Sequence, residues 1–123
     1  MLLNFHDWEI VGVSIDRNQA TAEIFIVKPE THEGVSFYFE GVRKFYLSNM
    51  MIQNVILDLL IFEKASESDY FGHCCSLLDI DTLEYENLYP GKMIYIEPSV
   101  GAEIACFYEE IHIKRGIPGT PGT

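Results

Sequence analysis

The chain has 123 residues and a formal charge of −11, because 19 acidic residues outnumber 8 basic ones. Almost half of the residues are apolar (48%), so the chain can form a hydrophobic core and is not a disordered acidic tail. The negative charge opposes binding to phosphate backbones and anionic lipids, and it suits a basic protein partner or solubility alone.

Alternating apolar residues near the N-terminus predict a β-hairpin. Within residues 8–15 and residues 20–27, apolar side chains recur at a spacing of two, and polar residues separate the two segments. This spacing is typical of half-buried strands, and the polar residues between them are typical of a turn. Pro29 should end the second strand, because proline lacks the N–H that a strand ladder uses. One face of the first strand is predicted to carry Val11, Val13 and Ile15.

Two further strands are expected in the middle of the chain. Residues 34–47 alternate again, and Gly41 within them indicates a bend or bulge. Asn49 is typical of the turn that follows. Residues 52–62 carry apolar side chains at both parities, which fits a central strand or a buried helix, and their β-branched residues favour the strand.

One short helix is expected after the central strand. Ser66 or Ser68 would cap it, and Asp69 would lie in its first turn, where a carboxylate faces the positive end of the helix dipole. The irregular segment that includes this helix extends to about residue 78. Residues 79–90 mix acidic and apolar side chains without a period that assigns them to a helix or a strand.

The C-terminal part of the chain predicts a second hairpin. Residues 92–97 and residues 102–107 read as short strands, and the Pro-Ser-Val-Gly sequence between them reads as their loop. Residues 109–114 would continue the second strand past a bend or add an edge strand.

Together these elements predict a mainly β fold: an antiparallel curved sheet or sandwich of about six to eight short strands with one short helix. An α+β arrangement is the alternative. Residues 1–115 are expected to form a single domain, and residues 116–123 are expected to be a flexible tail rich in glycine and proline.

The cysteines predict a reducing compartment. Cys74, Cys75 and Cys106 cannot all pair within one chain, and adjacent cysteines make a poor disulfide. The first residues lack the charged and apolar segments of an export signal, and no apolar stretch has the length that crosses a bilayer. We therefore expect a cytoplasmic protein that does not contact a membrane.

No catalytic, cofactor or metal motif is recognisable. His73, Cys74 and Cys75 are adjacent, whereas zinc motifs separate paired ligands by two or more residues, so buried structural cysteines are the preferred interpretation. Nothing nominates a histidine as the base for a cysteine nucleophile. His6 and Asp7 are expected to anchor the start of the chain through hydrogen bonds. We expect no catalytic residue, no metal and no cofactor.

The acidic residues in the second half of the chain are the best candidates for binding a partner. Tyrosines are interleaved with them, and tyrosine is enriched at protein interfaces while carboxylates steer association with basic proteins. A solvated acidic face is an equally good interpretation. The predicted partner-binding residues are Glu63, Glu67, Asp69, Tyr70, Asp79, Asp81, Glu84, Tyr85 and Glu86.

The order of short motifs also resembles a family. The His6-Asp7-Trp8 set, the first hairpin, the Phe39-Glu40-Gly41-Val42 step and the last strand pair resemble small bacterial immunity proteins of polymorphic or contact-dependent toxin systems. The resemblance covers roughly residues 5–115 as a pattern. It implies a cytoplasmic antidote that binds a toxin domain and blocks its active site without chemistry of its own.

The expected partner is therefore a basic toxin domain such as a nuclease, whose basic phosphate-binding cleft an acidic protein can occupy. Nucleic acid is not expected as a partner. The alternative function is a small ligand-binding or enzymatic β domain with a cavity near His73, Cys74 and Cys75. A subunit of a larger assembly is a third hypothesis, and the sequence does not define the oligomeric state.

Overall fold

The computed structural model describes residues 2–64, 68–81 and 91–116, and the predicted tail from residue 117 onward lies outside this part. Nine strands and one helix are formed here. In chain order they are β1 (Leu2–Leu3), β2 (Glu9–Asp16), β3 (Thr21–Lys28), β4 (Glu33–Glu40), β5 (Lys44–Ser48), β6 (Val55–Phe62), α1 (Asp69–Leu77), β7 (Lys92–Val100), β8 (Glu103–Tyr108) and β9 (Glu110–Arg115).

The strands form one curved antiparallel sheet that does not close. Eight strands lie in the order β5-β8-β7-β6-β2-β3-β4-β9, and the two-residue β1 pairs with β6 beside this path. The predicted fold class is confirmed: the protein is mainly β, with one short helix.

The N-terminal hairpin is confirmed, but two of the three residues predicted on one half-buried face of its first strand, Val11 and Ile15, are exposed. The register of β2 with β3 shifts between Ile10 and Gly12, so Val11 is the extra residue of a β-bulge and its side chain is exposed. Ile10 enters the core before the bulge, and Val13 packs against the core after it. Alternation alone cannot show such a shift of parity.

The chain passes twice between the two ends of the strand order, from β4 to β5 and from β8 to β9. Both passages lie at one corner. There the Val42 N–H donates to the Ala20 carbonyl at 2.9 Å, and the Arg43 N–H donates to the Phe107 carbonyl at 2.8 Å. Gly41 turns the chain with a φ of +63°. It does not bend one continuous strand, as predicted for residues 34–47, because β4 ends at Glu40 and β5 begins at Lys44 towards the other end of the strand order.

The concave face of the sheet encloses the main core. Inward side chains from strands far apart in the order share it, including Ile24, Phe37, Leu59, Ile96 and Ile104, all fully buried. The curvature of the sheet therefore buries one face without a second sheet.

A second core lies on the convex face, where α1 packs against the β6-β7-β8 part of the sheet. The helix contributes Phe71, Cys74 and Cys75, and the strands contribute Met93 and Phe107. This packing explains the apolar residues at both parities of the central strand, which is a strand as predicted. Ser68 caps the helix, since its hydroxyl accepts a hydrogen bond from the Tyr70 N–H at 3.1 Å.

The central strand begins three residues later than predicted, at Val55, because a loop precedes it. Asn54 is buried and organises this loop: its side chain accepts from the Met51 N–H at 2.8 Å and the Ala102 N–H at 3.0 Å, and donates to the Met51 carbonyl at 2.7 Å. Met50, Met51 and Ile52 consequently point into solvent.

The one helix of the described residues has nine residues. A bilayer-spanning helix needs about 20, so no helix in this part of the chain can cross a membrane.

Candidate functional site

An open groove of about 920 Å³ runs along the margin of the sheet where β2, β4 and β6 end and β3, β7 and β9 begin. Five carboxylates and one lysine line it, and we call it the acidic groove. Its described lining residues are Asp16, Gln19, Thr21, Tyr38, Glu40, Gly41, Glu63, Gly91, Lys92, Glu109 and Glu110.

The strand register places two of these carboxylates side by side. Glu40 on β4 lies directly opposite Glu110 on β9. Like charges at opposite positions destabilise an antiparallel pair. His112 lies two residues further along the same face, and its Nε2 is 2.6 Å from Glu40 Oε1 and 3.7 Å from Glu110 Oε2.

These three side chains are also a group of potential metal ligands. One ligand atom from each of Glu40, Glu110 and His112 lies within 4.8 Å of the others, and all three side chains are exposed. The imidazole already serves Glu40 as a hydrogen-bond partner. We therefore interpret the group as part of the charged wall of the groove.

The corner beside Gly41 supplies the next carboxylate. Glu109 Oε1 lies 3.4 Å from the guanidinium Nη2 of Arg43, and both side chains are partly exposed. The Glu109 N–H also donates to the Glu40 carbonyl at 3.0 Å, which fixes this residue at the junction of β8 and β9. The negative charges of the groove are thus carried on hydrogen-bonded strand ends.

Of the predicted partner-binding residues that the structure describes, only Glu63 lines the acidic groove. Asp69 and Tyr70 begin α1, whereas Asp79 and Asp81 follow its end, about 13 Å further along a nine-residue helix. All four are exposed. Among the described residues, the predicted cluster is therefore spread over two ends of the helix and the groove. Glu67, Glu84, Tyr85 and Glu86 lie outside the described residues.

A polar network lies on the helix-covered face. It includes His73, near which the alternative hypothesis predicted a ligand cavity. The Tyr95 hydroxyl donates to Glu103 Oε2 at 2.6 Å, and His73 Nε2 lies 2.8 Å from the same oxygen. Desolvation acts to raise the pKa of Glu103, but hydrogen bonds from Tyr95 and His73 and the His73 charge outweigh it and hold the pKa low. Beside this network, the Tyr70 hydroxyl donates to Glu97 at 3.1 Å.

The cysteines are interior residues, as the sequence predicted. Cys74, Cys75 and Cys106 are buried and unpaired. Burial raises the pKa of the Cys74 and Cys106 thiols, so neither forms the thiolate that a nucleophile or metal ligand requires near neutral pH. The described lining of the acidic groove includes neither His73 nor any of these cysteines.

His6 anchors the start of the chain, as expected. Its Nδ1 lies 2.8 Å from the Leu57 carbonyl on β6. This backbone hydrogen bond, followed by the charge of Asp7, raises the pKa of His6. The Asp7 N–H donates to the Ile56 carbonyl at 2.8 Å, so the pair fastens the N-terminal segment to the sheet.

The sequence interpretation missed most of the acidic groove. Asp16, Glu40, Glu109 and Glu110 come from the ends of strands that are far apart in the chain. The Glu109-Glu110 pair at a strand junction was the only local signal. Glu40 lies opposite Glu110 because β4 pairs with β9, and no local sequence pattern predicts this pairing.

Comparison with known proteins adds no identity. No protein-family model matches the chain, and no curated protein matches it at a significant level.

Proposed function

We propose that this protein binds a basic protein domain in its acidic groove and neutralises it, as an immunity-type antidote to a bacterial toxin domain such as a nuclease. The observation that carries the proposal is the groove itself, where five carboxylates face one lysine. Binding by this surface needs no catalytic residue, cofactor or metal.

The electrostatics of the groove suit a basic partner. The chain carries −11 overall, and the groove concentrates part of that charge on strand ends held by backbone hydrogen bonds. A preformed acidic surface accelerates encounter with a basic protein and aligns the two before contact. The same field repels nucleic acid and anionic membranes, which we exclude as partners in this proposal.

The groove also offers contacts that would stabilise the complex after the first encounter. Tyr38 lies among the carboxylates, and tyrosine supplies both apolar area and a hydroxyl at protein interfaces. A nuclease binds phosphate with clustered basic residues, so an acidic groove can occupy such a cleft in place of the substrate. We place the protein in the cytoplasm, where three unpaired thiols stay reduced.

Co-expression tests the proposed function. The chain would be produced together with the C-terminal domain of any large secreted protein that is encoded immediately upstream of its gene. We expect co-purification and rescue of growth. If both proteins fold but no complex and no rescue are observed with that domain, the antidote proposal is wrong.

Charge reversal tests the groove as the binding surface. The double variant Glu40→Lys/Glu110→Lys should weaken a complex with the basic domain at least about a hundredfold, since close interfacial charge pairs contribute several kcal/mol. Glu9→Lys/Glu30→Lys is the matched control with the same change of charge, because Glu9 begins β2 and Glu30 lies in the turn before β4, away from the groove. Equal affinities of the two variants in isothermal titration calorimetry would show that the groove is not the interface.

A further inference from the structure

The outer edge of β9 offers hydrogen bonds that no described strand uses. β9 ends the strand order and pairs only with β4 in the described part of the chain. The Gly116 N–H donates to the Gly34 carbonyl at 2.7 Å, which marks residues 34 and 116 as a hydrogen-bonded pair. Hydrogen-bonded and non-hydrogen-bonded pairs alternate along an antiparallel ladder. Ile111, Ile113 and Arg115 therefore point their N–H and C=O groups away from β4.

The side chains along this edge are asymmetric. Glu110 begins the strand beside Glu40, in the acidic groove. Lys114 and Arg115 end it, and both already have partners: the Lys114 ammonium lies 4.7 Å from the centre of the Tyr38 ring, and Arg115 lies 3.0 Å from Glu33. The groove end of the edge is thus acidic, and its other end carries the two basic residues.

The concave side of the same edge is apolar at Ile111 and Ile113 and ends at Arg115. Ile113 lies opposite Phe37 and shares its inward face, yet Ile113 is 44% exposed while Phe37 is fully buried. In a strand added at this edge, every second side chain would lie on the concave face, where it would cover Ile113. The other side chains of that strand would lie on the convex face, beside Glu110.

We propose that the free edge of β9 accepts an extended segment of the basic partner as an added strand, in which basic and apolar residues alternate. This inference rests on the proposed function and specifies how the partner is held. The basic side chains meet Glu110 and Glu40, and the apolar ones meet Ile113. A second copy of this chain is disfavoured as the occupant, because each copy carries −11.

Hydrogen exchange tests the added strand without any substitution. The probe is an acetylated eight-residue peptide of alternating lysine and valine, and the controls are a block peptide of the same composition and an alternating glutamate–valine peptide. We expect the alternating lysine peptide to slow amide exchange at Ile111, Ile113 and Arg115, measured by NMR. No protection at these three amides at saturating peptide would overturn the proposal.

A pair of variants separates the contribution of the Ile113 N–H to binding from the contribution of its side chain. Ile113→Pro removes an outward N–H without removing a hydrogen bond to β4, and Ile113→Ala keeps that N–H while removing the same side chain. We expect Ile113→Pro to bind the peptide at least about tenfold more weakly than Ile113→Ala, the loss expected for one hydrogen bond. Unchanged amide signals of β3 and β4 would show that both variants are folded.

The outcomes distinguish this inference from the proposed function. If the basic domain binds, groove charge reversal abolishes that binding, and Ile113→Pro binds like Ile113→Ala, the groove is the interface and the added strand is wrong. If groove reversal has no effect on binding, the acidic groove is not the binding surface. The proposed function is then wrong whatever the result for the added strand. Self-association of the protein through this edge, detected by light scattering, would also overturn the inference.

Discussion

At the scale of single residues, two buried or half-buried polar groups hold together parts of the fold that are remote in sequence. Asn54 joins its own loop to Ala102, which precedes β8. Glu103 joins the helix to the sheet, because its carboxylate accepts from Tyr95 on β7 and contacts His73 on α1. In both cases one side chain satisfies several groups, so its loss leaves more than one of them without a partner.

We expect Asn54→Ala to destabilise the protein by about 2–4 kcal/mol, because the Met51 and Ala102 N–H groups lose their shared acceptor. Urea unfolding would measure the change. Gln53→Ala, at the exposed neighbouring position, is the matched control and should change stability by less than about 0.5 kcal/mol. Equal midpoints for the two variants would contradict the structural role of Asn54.

Glu103 predicts a pH dependence of stability. Its pKa is lowered in the folded protein by the hydrogen bonds from Tyr95 and His73, which outweigh desolvation. A lowered pKa stabilises the fold above the unfolded value, about 4.3, and this stabilisation is lost as the pH falls through the lower folded value. The stability difference between the native protein and Glu103→Gln should therefore shrink below about pH 4.3.

Thermal unfolding at several pH values would measure this difference. Glu97→Gln, which changes a neighbouring carboxylate on the same face, is the control. A difference between the native protein and Glu103→Gln that stays constant across the acidic range would contradict the proposed cause.

At the scale of the elements, glycines with positive φ mark two corners that differ in what surrounds them. Gly41 has a φ of +63°, and the nearest atoms that an added Cβ would meet belong to the flexible side chain of Glu109. Gly101 has a φ of +83°, and an added Cβ would meet the Asn54 side chain and lie 2.7 Å from the Gln53 carbonyl oxygen. At Gly101, a larger residue would therefore lack space for its side chain as well as an allowed backbone conformation.

We expect Gly41→Ala to cost about 1–2 kcal/mol, the usual penalty for a left-handed L-residue. Gly101→Ala should cost more, about 3 kcal/mol or above, because the backbone must also move and disturb the Asn54 hydrogen bonds. Chemical unfolding of the two variants side by side would test the order. A Gly41→Ala variant that is the less stable of the two would contradict it.

Sequence patterns predicted these elements well where the signal was local. Ser68 was one of the two predicted helix caps and Asp69 was placed in the first turn, and the alternation in β3 and β4 indicated the buried faces. The bulge at Val11 was not predictable, because a single extra residue leaves the apolar alternation intact on both sides of it. The acidic groove was not predictable either, because Glu40 and His112, which are hydrogen-bonded, lie 72 residues apart.

At the scale of the whole molecule, negative charge is distributed unevenly over a small rigid sheet. The acidic groove gathers five carboxylates at one margin, while the loop of Met50, Met51 and Ile52 presents an uncharged apolar surface. Repulsion among the carboxylates opposes folding, and dissolved salt screens it.

We therefore expect the free energy of unfolding to rise with salt concentration at pH 7. Between about 0.01 M and 1 M sodium chloride the Debye length falls from about 30 Å to about 3 Å, so the repulsion is largely removed. The variant Glu40→Gln/Glu110→Gln should show a smaller rise than the native protein, because it lacks one opposed pair. Unfolding midpoints that do not depend on salt would contradict this account.

The double passage of the chain between the ends of the sheet also determines when the domain can fold. β8 pairs with β5 and β9 pairs with β4, so residues 103–115 complete contacts of strands that are synthesised long before them. Pairing over such sequence separations slows folding. On the ribosome, the earlier strands must wait with unpaired backbone edges until the last strand has emerged. During that interval the unpaired edges favour aggregation of the nascent chain.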